Sequence, residues 1–297
     1  MNPAADAWLA APPGYDRLPP YGAGWLLETQ QLAPYLSYVA GDEPVNWSDE
    51  LEALHEDATR THFIDRWTRA AVIARLGDVP SDGILADVGC STGHLLENLR
   101  DAYPGRMLVG VDLVAAGLRK AHALVPNARL LHADACALPL ADASMDAIAS
   151  ANLLEHVVDD VGALREFARV LRPGSRAVMV VPAGPRTYDY YDRFLGHERR
   201  YARGELAAKA RAVGLEVVED AYIGSLLYPA FWMVKQRNRL LYDDLAGAAL
   251  ERRVTSDIER TDDSRWGERL WRIEERLKLP LPFGIRNRLV ARRTAQP

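Results

Sequence analysis

From Gly83 onward, short apolar runs alternate with stretches whose apolar residues recur every three or four positions. Runs of the first kind suit strands buried on both faces, and stretches of the second suit amphipathic helices. Their alternation is the mark of βαβ units on a parallel sheet. The pattern predicts strands over Ile84–Val88, Met107–Val111, Ala128–His132, Met145–Ala151, Ala177–Val181, Leu215–Asp220 and Asn287–Ala291. It predicts helices over Gly93–Tyr103, Leu113–Leu124, Asp160–Leu171 and Gly204–Val213, with Arg172-Pro173-Gly174 stopping the third of them.

The flanks read differently. Pro12-Pro13-Gly14 and Pro19-Pro20 mark an irregular lead-in, Trp25–Val39 offers a short helix, and Asp49–Leu76 reads as helical. On that last stretch Leu51, Leu54 and His55 share a face, which Phe63, Trp67, Ala70, Ala71 and Ile73 continue. Leu226–Leu277 is helical again, dense in Arg and Glu on one side and in Leu, Trp and Tyr on the other, until Leu279-Pro280-Leu281-Pro282 breaks it. The chain therefore divides into a lead-in and helical lid (1–76), an α/β core (77–221), a helical cap or insertion (222–285), and a last strand with its tail (286–297).

Composition narrows the class. Hydrophobic residues make up 48% and charged residues 26% of 297, as in an ordinary globular protein. A net charge of -5 argues against a general nucleic-acid binder. The two cysteines, Cys90 and Cys136, suggest no disulfide framework and have no metal-ligand spacing with histidines, so no metal is expected. Met1–Tyr15 has no signal-peptide pattern, and the apolar stretch Ile223–Val234 is interrupted by Gly224, Ser225 and Pro229 and is too short to span a bilayer. A cytoplasmic location is the expectation.

The chemistry concentrates after the first strand, in Asp87-Val88-Gly89-Cys90-Ser91-Thr92-Gly93. Glycines there let the backbone turn tightly and approach a ligand. An acid just before the loop would repel a pyrophosphate, but it suits a ligand carrying an ammonium group. A tight turn in any α/β fold is the plainer alternative. Asp112, at the end of the second strand, is placed to accept from ribose hydroxyls, or to cap the helix that begins at Leu113. Asp134, after the third strand, can accept from an adenine amine, or hold a turn. Three acids at the carboxyl ends of successive strands lie where open parallel sheets bind ligands.

Together with Asn152-Leu153-Leu154-Glu155-His156 and Arg172-Pro173-Gly174, these residues resemble the successive motifs of class I S-adenosylmethionine-dependent methyltransferases, in their bacterial small-molecule branch. The resemblance covers roughly residues 60 to 220. It implies a Rossmann-like α/β fold with a seven-stranded sheet in the order 3-2-1-4-5-7-6, the last strand antiparallel, N-terminal helices, and a helical insertion before the last strand. It implies S-adenosyl-L-methionine as cofactor. Asp87 and Gly89 would face its methionine end, Asp112 its ribose, Asp134 with Ala135 its adenine, and Asn152 and Leu153 would line the methionine end; Cys90, Ser91, Gly93 and Leu113 would also belong to the cofactor site. Ser91 stands where the family usually has glycine. Arg69, 18 residues before Asp87, is placed like an arginine that grips the cofactor's carboxylate in ubiquinone-pathway O-methyltransferases; a solvated helix arginine is the alternative.

Methyl transfer from a sulfonium is an in-line displacement, and a base is needed only if the acceptor must lose a proton. His156 and His197 are the candidates. His156 can equally be a structural histidine, and His197, in Leu195-Gly196-His197-Glu198-Arg199-Arg200-Tyr201, can be a base or an acceptor contact. Tyr188-Asp189-Tyr190-Tyr191-Asp192 offers phenols and carboxylates to an acceptor pocket, or an aromatic lid. His62-Phe63 could close over the cofactor, although Phe63 suits the core. Tyr222, Leu226, Leu227, Tyr228, Phe231, Trp232 and Met233 form an aromatic cluster that either caps an acceptor pocket or makes core or an oligomer interface. The expected acceptor is a small molecule methylated on oxygen, with N- or C-methylation or a non-catalytic cofactor-binding scaffold as alternatives. The lack of G-x-G-x-x-G and the presence of Asp87 disfavour a NAD enzyme.

Overall fold

A computed structural model describes residues 7–27, 32–39, 62–260, 265–277 and 281–294, with the side chains of 255, 257–260, 265 and 275 left out. The centre is one eight-stranded sheet. Three two-residue strands come first: β1 (Trp25–Leu26), β2 (Leu32–Ala33) and β3 (Leu36–Ser37). The main strands are β4 (Ile84–Val88), β5 (Met107–Asp112), β6 (Arg129–His132), β7 (Met145–Ala151), β8 (Leu171–Pro182), β9 (Leu215–Ile223) and β10 (Arg286–Arg293). The order is β3-β6-β5-β4-β7-β8-β10-β9, with β10 antiparallel to both neighbours. The seven longer strands therefore follow the expected order, and an eighth joins the edge beside β6.

That eighth strand corrects the lead-in. Trp25–Val39 was expected to hold a short helix; its described residues instead form β1, β2 and β3. The reason is tertiary. Trp25 is buried and its Nε1 donates to Leu130 O at 3.3 Å, while the Arg129 guanidinium lies 3.4 Å from the Tyr21 ring centre. Leu36 pairs with Leu131, and an exposed sheet edge thereby gains cover.

The helices are α1 (Phe63–Leu76), α2 (His94–Ala102), α3 (Ala115–Leu124), α4 (Asp160–Val170), α5 (Tyr190–Phe194), α6 (Glu205–Ala212), α7 (Tyr228–Tyr242), α8 (Gly247–Arg260) and α9 (Arg265–Leu277). The expected helical face of Leu51, Leu54 and His55 lies outside the described residues. Leu95, Leu96 and Leu99 turn α2 onto the sheet. Gly110 makes that contact possible, because a Cβ there would come within 2.7 Å of both Leu96 and Leu130. Arg172-Pro173-Gly174 does end α4, but β8 begins at Leu171 and takes the tripeptide in, with an irregularity opposite Met145 and Ala147. Arg172 pairs there with Asp146 at 2.8 Å.

The helical excursion α7–α9 docks in two places. Trp271 of α9 stacks on Trp67 of α1, ring centres 4.3 Å apart. Phe63 is core, edge-on to Trp67 at 4.5 Å. Helix α7 lies against residues 185–201, through polar groups. No helix among the described residues is long and apolar enough to cross a membrane.

Candidate active site

Strand β4 is buried throughout, so Asp87 carries a carboxyl into the core beside the sheet's carboxyl edge. It is fully buried, and neither carboxyl oxygen has a hydrogen-bond partner among the described residues. Burial, reinforced by the charge of Asp112, pushes this carboxyl well above the usual carboxylate range. An acid left in that state is costly unless something else completes it.

The loop after β4 is held from the neighbouring strand. Gly89 and Cys90 N–H groups donate to Val111 O at 2.8 and 3.1 Å, and the Ser91 N–H donates to Asp112 Oδ2 at 2.8 Å. Asp112 Oδ1 accepts from Val114 N–H at 2.9 Å. Asp112 thus fixes both the glycine loop and the turn after β5, and its remaining lone pairs are what a ribose could use. Leu113 lies in that turn, its carbonyl 3.1 Å from His132 Nε2. Ser91 takes a φ of 45°, the left-handed region where glycine is at ease, so the departure from glycine changes the residue and not the loop path. Gly93 has a φ of 87° and sits so close to α3 that a Cβ would meet Ala121 Cα at 2.9 Å.

Asp134 is exposed and its Oδ1 accepts from Cys136 N–H at 2.8 Å, so it holds a turn; Ala135 beside it is buried. Asn152, after β7, has a φ of 55°, and its Oδ1 is buried with no partner among the described residues. Leu153 lies over the glycine loop, its Cβ 2.8 Å from where a Gly89 Cβ would be. Arg69 reaches from α1 to α2, where its Nε donates to Asn98 Oδ1 at 3.0 Å. The candidate residues of the first, second, third and fourth main strands therefore lie on one edge of the sheet. Arg69 stands behind it on α1.

A second cluster follows β7. The segment 197–201 is tied across it: Glu198 N–H donates to Glu155 O at 2.8 Å, Arg199 Nη1 to Val157 O at 2.6 Å, and the Tyr201 hydroxyl to Leu154 O at 3.0 Å. These bonds bring His156 and His197 edge to face, ring centres 4.6 Å apart. His197 Nδ1 lies 2.8 Å from Asp192 Oδ1. Asp192 also accepts from Arg200 Nε at 2.7 Å and from Lys235 Nζ at 3.3 Å. Burial opposes its charge, but the hydrogen bond with His197 and the charges of Arg200 and Lys235 outweigh it and hold the carboxyl well below the usual range.

This corrects the reading of Tyr188–Asp192 as an acceptor wall. Asp189 and Asp192 are fully buried, and Asp189 takes Lys235 Nζ at 2.7 Å and Asn238 Nδ2 at 3.1 Å. The two carboxylates anchor α7 to the site loop. Tyr190 is buried against Tyr242, and the Tyr188 hydroxyl donates to His197 O at 2.7 Å. The aromatic row after β9 is also divided: Tyr228 meets Phe283, while Trp232 and Met233 are exposed.

Sequence reasoning missed Asp192, Arg200 and Lys235 as the support of His197, and it did not single out Glu155. Lys235 and Asn238 stand three apart, on one face of a helix that also carries Gln236, Arg237 and Arg239, so nothing in the residue types marked these two as the buried pair.

Comparison with known proteins agrees with this geometry. Residues 86–179 match the methyltransferase domain family. The chain is 38% identical over 119 residues to a demethylmenaquinone methyltransferase of Thermus thermophilus, covering 39% of this chain and 53% of that protein. It is 36% identical over 121 residues to a ubiquinone/menaquinone biosynthesis C-methyltransferase of Syntrophotalea carbinolica, covering 39% and 51%. The chain thus spans about half the length of these relatives. Its fold is like that of phosphoethanolamine N-methyltransferase 2 of Haemonchus contortus in complex with S-adenosyl-L-methionine. The TM-score is 0.56 at 16% identity, covering 84% of this chain and 58% of that one.

Proposed function

Starting from a core that is a class I S-adenosylmethionine-dependent methyltransferase domain, we propose that this chain transfers a methyl group to a small oxygenated acceptor. The observation that carries the reading is Asp87: a fully buried carboxyl, without a hydrogen-bond partner among the described residues, at the tip of the central strand. The residues present fit the cofactor. Asp87 and Asn152 Oδ1 offer buried acceptors to an ammonium group, and the glycine loop leaves backbone space. Asp112 keeps lone pairs for ribose hydroxyls while it holds the loop, and Asp134 with Ala135 borders the adenine. Arg69, on α1 with its Nε donating to Asn98 of α2, is the candidate partner for the carboxylate end, reached from behind the sheet's carboxyl edge.

When bound, S-adenosylmethionine supplies an electrophilic methyl on a sulfonium. The chain's own task is then to orient the acceptor, exclude water and remove a proton where the nucleophile carries one. His197 is the acceptor-contact candidate, because Asp192 holds its Nδ1 and its ring lies edge to face with that of His156. His156 orders the same loop. Helix α7 caps the acceptor side, anchored by Lys235 and Asn238 on the segment that leads to His197.

The relatives' names favour one alternative, methylation at carbon on a quinone-like ring. Both readings require an oxygenated acceptor, and product analysis of the labelled compound separates O- from C-methylation. The cofactor half is tested by calorimetry with S-adenosylhomocysteine and with NAD. Binding of the former alone is expected, and binding of neither would end the reading. A tritiated-methyl screen then separates enzyme from scaffold, since a scaffold labels nothing.

A further inference from the structure

Glu155 is fully buried, and neither of its carboxyl oxygens has a hydrogen-bond partner among the described residues. Its main-chain carbonyl accepts from Glu198 N–H. Burial pushes the carboxyl above its ordinary range, and the charges of His197, Arg286 and Arg200 pull the other way. The carboxyl faces two imidazoles. One ligand atom each of Glu155, His156 and His197 lie within 4.8 Å of one another. His197 Nδ1 is held by Asp192, so Nε2 is the atom it can give.

From this arrangement we propose that Glu155, His156 and His197 bind a first-row divalent cation of the zinc or iron(II) kind, whose open positions take an oxygen of the methyl acceptor. Two imidazoles and one carboxylate are a donor set for such ions and leave coordination sites open, whereas magnesium and calcium prefer oxygen throughout. A cation about 2.1 Å from each donor needs donors roughly 3–3.5 Å apart. His156 is half-buried, and closing that gap takes a movement of its side chain. Asp192 supplies the outer support: a carboxylate on the far nitrogen fixes the ring and raises the basicity of the ligating one. Arg200 shares Asp192 Oδ1 with His197, and Lys235 holds Asp192 Oδ2. The three donors come from two segments stitched together by the bonds of Glu198, Arg199 and Tyr201, so the geometry is built by the fold and not by one flexible loop. Neither cysteine belongs to the set. The acceptor role rests on the proposed function; the cation site does not.

The test uses the full chain, stripped with chelator and titrated with Co2+ alone. One Co2+ per chain is expected, with visible d–d bands, and a Tm that rises with metal concentration because only the folded chain holds all three donors. Glu155→Gln keeps volume and removes the charge; it and His197→Ala should lose the bands. Far-UV circular dichroism checks the fold of each, and if His197→Ala does not fold, Glu155→Gln decides. No uptake by the wild type, or bands that persist in folded Glu155→Gln, would overturn the site. Binding of S-adenosylhomocysteine is measured in the same samples. Homocysteine-analogue binding without Co2+ uptake would overturn the cation site and leave the methyltransferase reading standing. Co2+ uptake without that binding would overturn the acceptor role alone.

Discussion

Helices α2 and α7 solve opposite problems. Helix α2 buries Leu95, Leu96 and Leu99 against the sheet and turns its charges outward. Helix α7 buries Lys235 and Asn238, while Trp232, Met233, Val234, Leu240 and Leu241 are exposed. The first is held by apolar burial, roughly 1.5–3 kcal/mol for each fully buried side chain. The second is held by ions that must find partners, because an unpaired buried charge costs several kcal/mol. The difference separates two uses of acids. On the α2 side, Asp87 has no hydrogen-bond partner among the described residues at the sheet's carboxyl edge, which is why we assign it to the cofactor. On the α7 side, Asp189 and Asp192 are fully occupied in holding the loop around His197.

The largest test of that contrast is Lys235→Met. It leaves Asp189 and Asp192 short of a cation in a buried site, and the chain should lose about 3–5 kcal/mol of stability in urea denaturation. A loss comparable to an exposed substitution would show that the cluster does not hold α7. The same cluster sets an acid response. Asp192 has its pKa depressed in the folded chain, so its contribution is present above the ordinary carboxylate range and is lost as pH falls through that range toward the folded value. The Asp192→Asn variant should show a shallower loss of stability on acidification.

Asp87→Asn should act the other way. Its binding of S-adenosylhomocysteine should weaken roughly 100-fold, about 3 kcal/mol. Stability should not suffer: the folded pKa of Asp87 is raised, so ionising it costs stability as pH rises above the ordinary range, and asparagine avoids that cost. Calorimetry and a melt on the same sample check both. Unchanged affinity in a folded variant would remove Asp87 from the site. For the same reason, wild-type affinity should rise with pH until Asp87 ionises without help.

Two smaller effects probe the loop. Gly93→Ala puts a Cβ 2.9 Å from Ala121 Cα at a φ of 87°, and should cost about 1–3 kcal/mol by denaturation. Ser91→Gly relieves a φ of 45° and should stabilise by up to about 1 kcal/mol, with cofactor affinity kept. A destabilised Ser91→Gly would mean that the serine contributes more than its backbone strain takes away.

The α/β half was readable because its rules are local. Strand Met145–Ala151 lies where periodicity puts it, and the others agree within a few residues, since burial on both faces demands unbroken apolar runs. The glycine loop, Asp112 and Asn152 were legible for a related reason: backbone turns at strand ends restrict residue type. The lead-in was misread because Trp25 and Leu36 have no helical or strand pattern of their own; the uncovered edge of β6 makes them extended. Helix α7 was misread on its faces. A helix with alternating apolar and polar sides is assumed to bury the apolar one, and here ionic partners reversed it.

The residue pattern by itself determined where the seven main strands lie and the kind of ligand their tips suit, because hydrophobic periodicity and turn chemistry are properties of short stretches of chain; the order of the strands came with the family resemblance. Only the tertiary structure decided which acids are occupied and which are left available. Asp189 meets Lys235, and Glu155 meets His197, across 46 and 42 residues of sequence, and no short-range pattern encodes the partner of a buried charge.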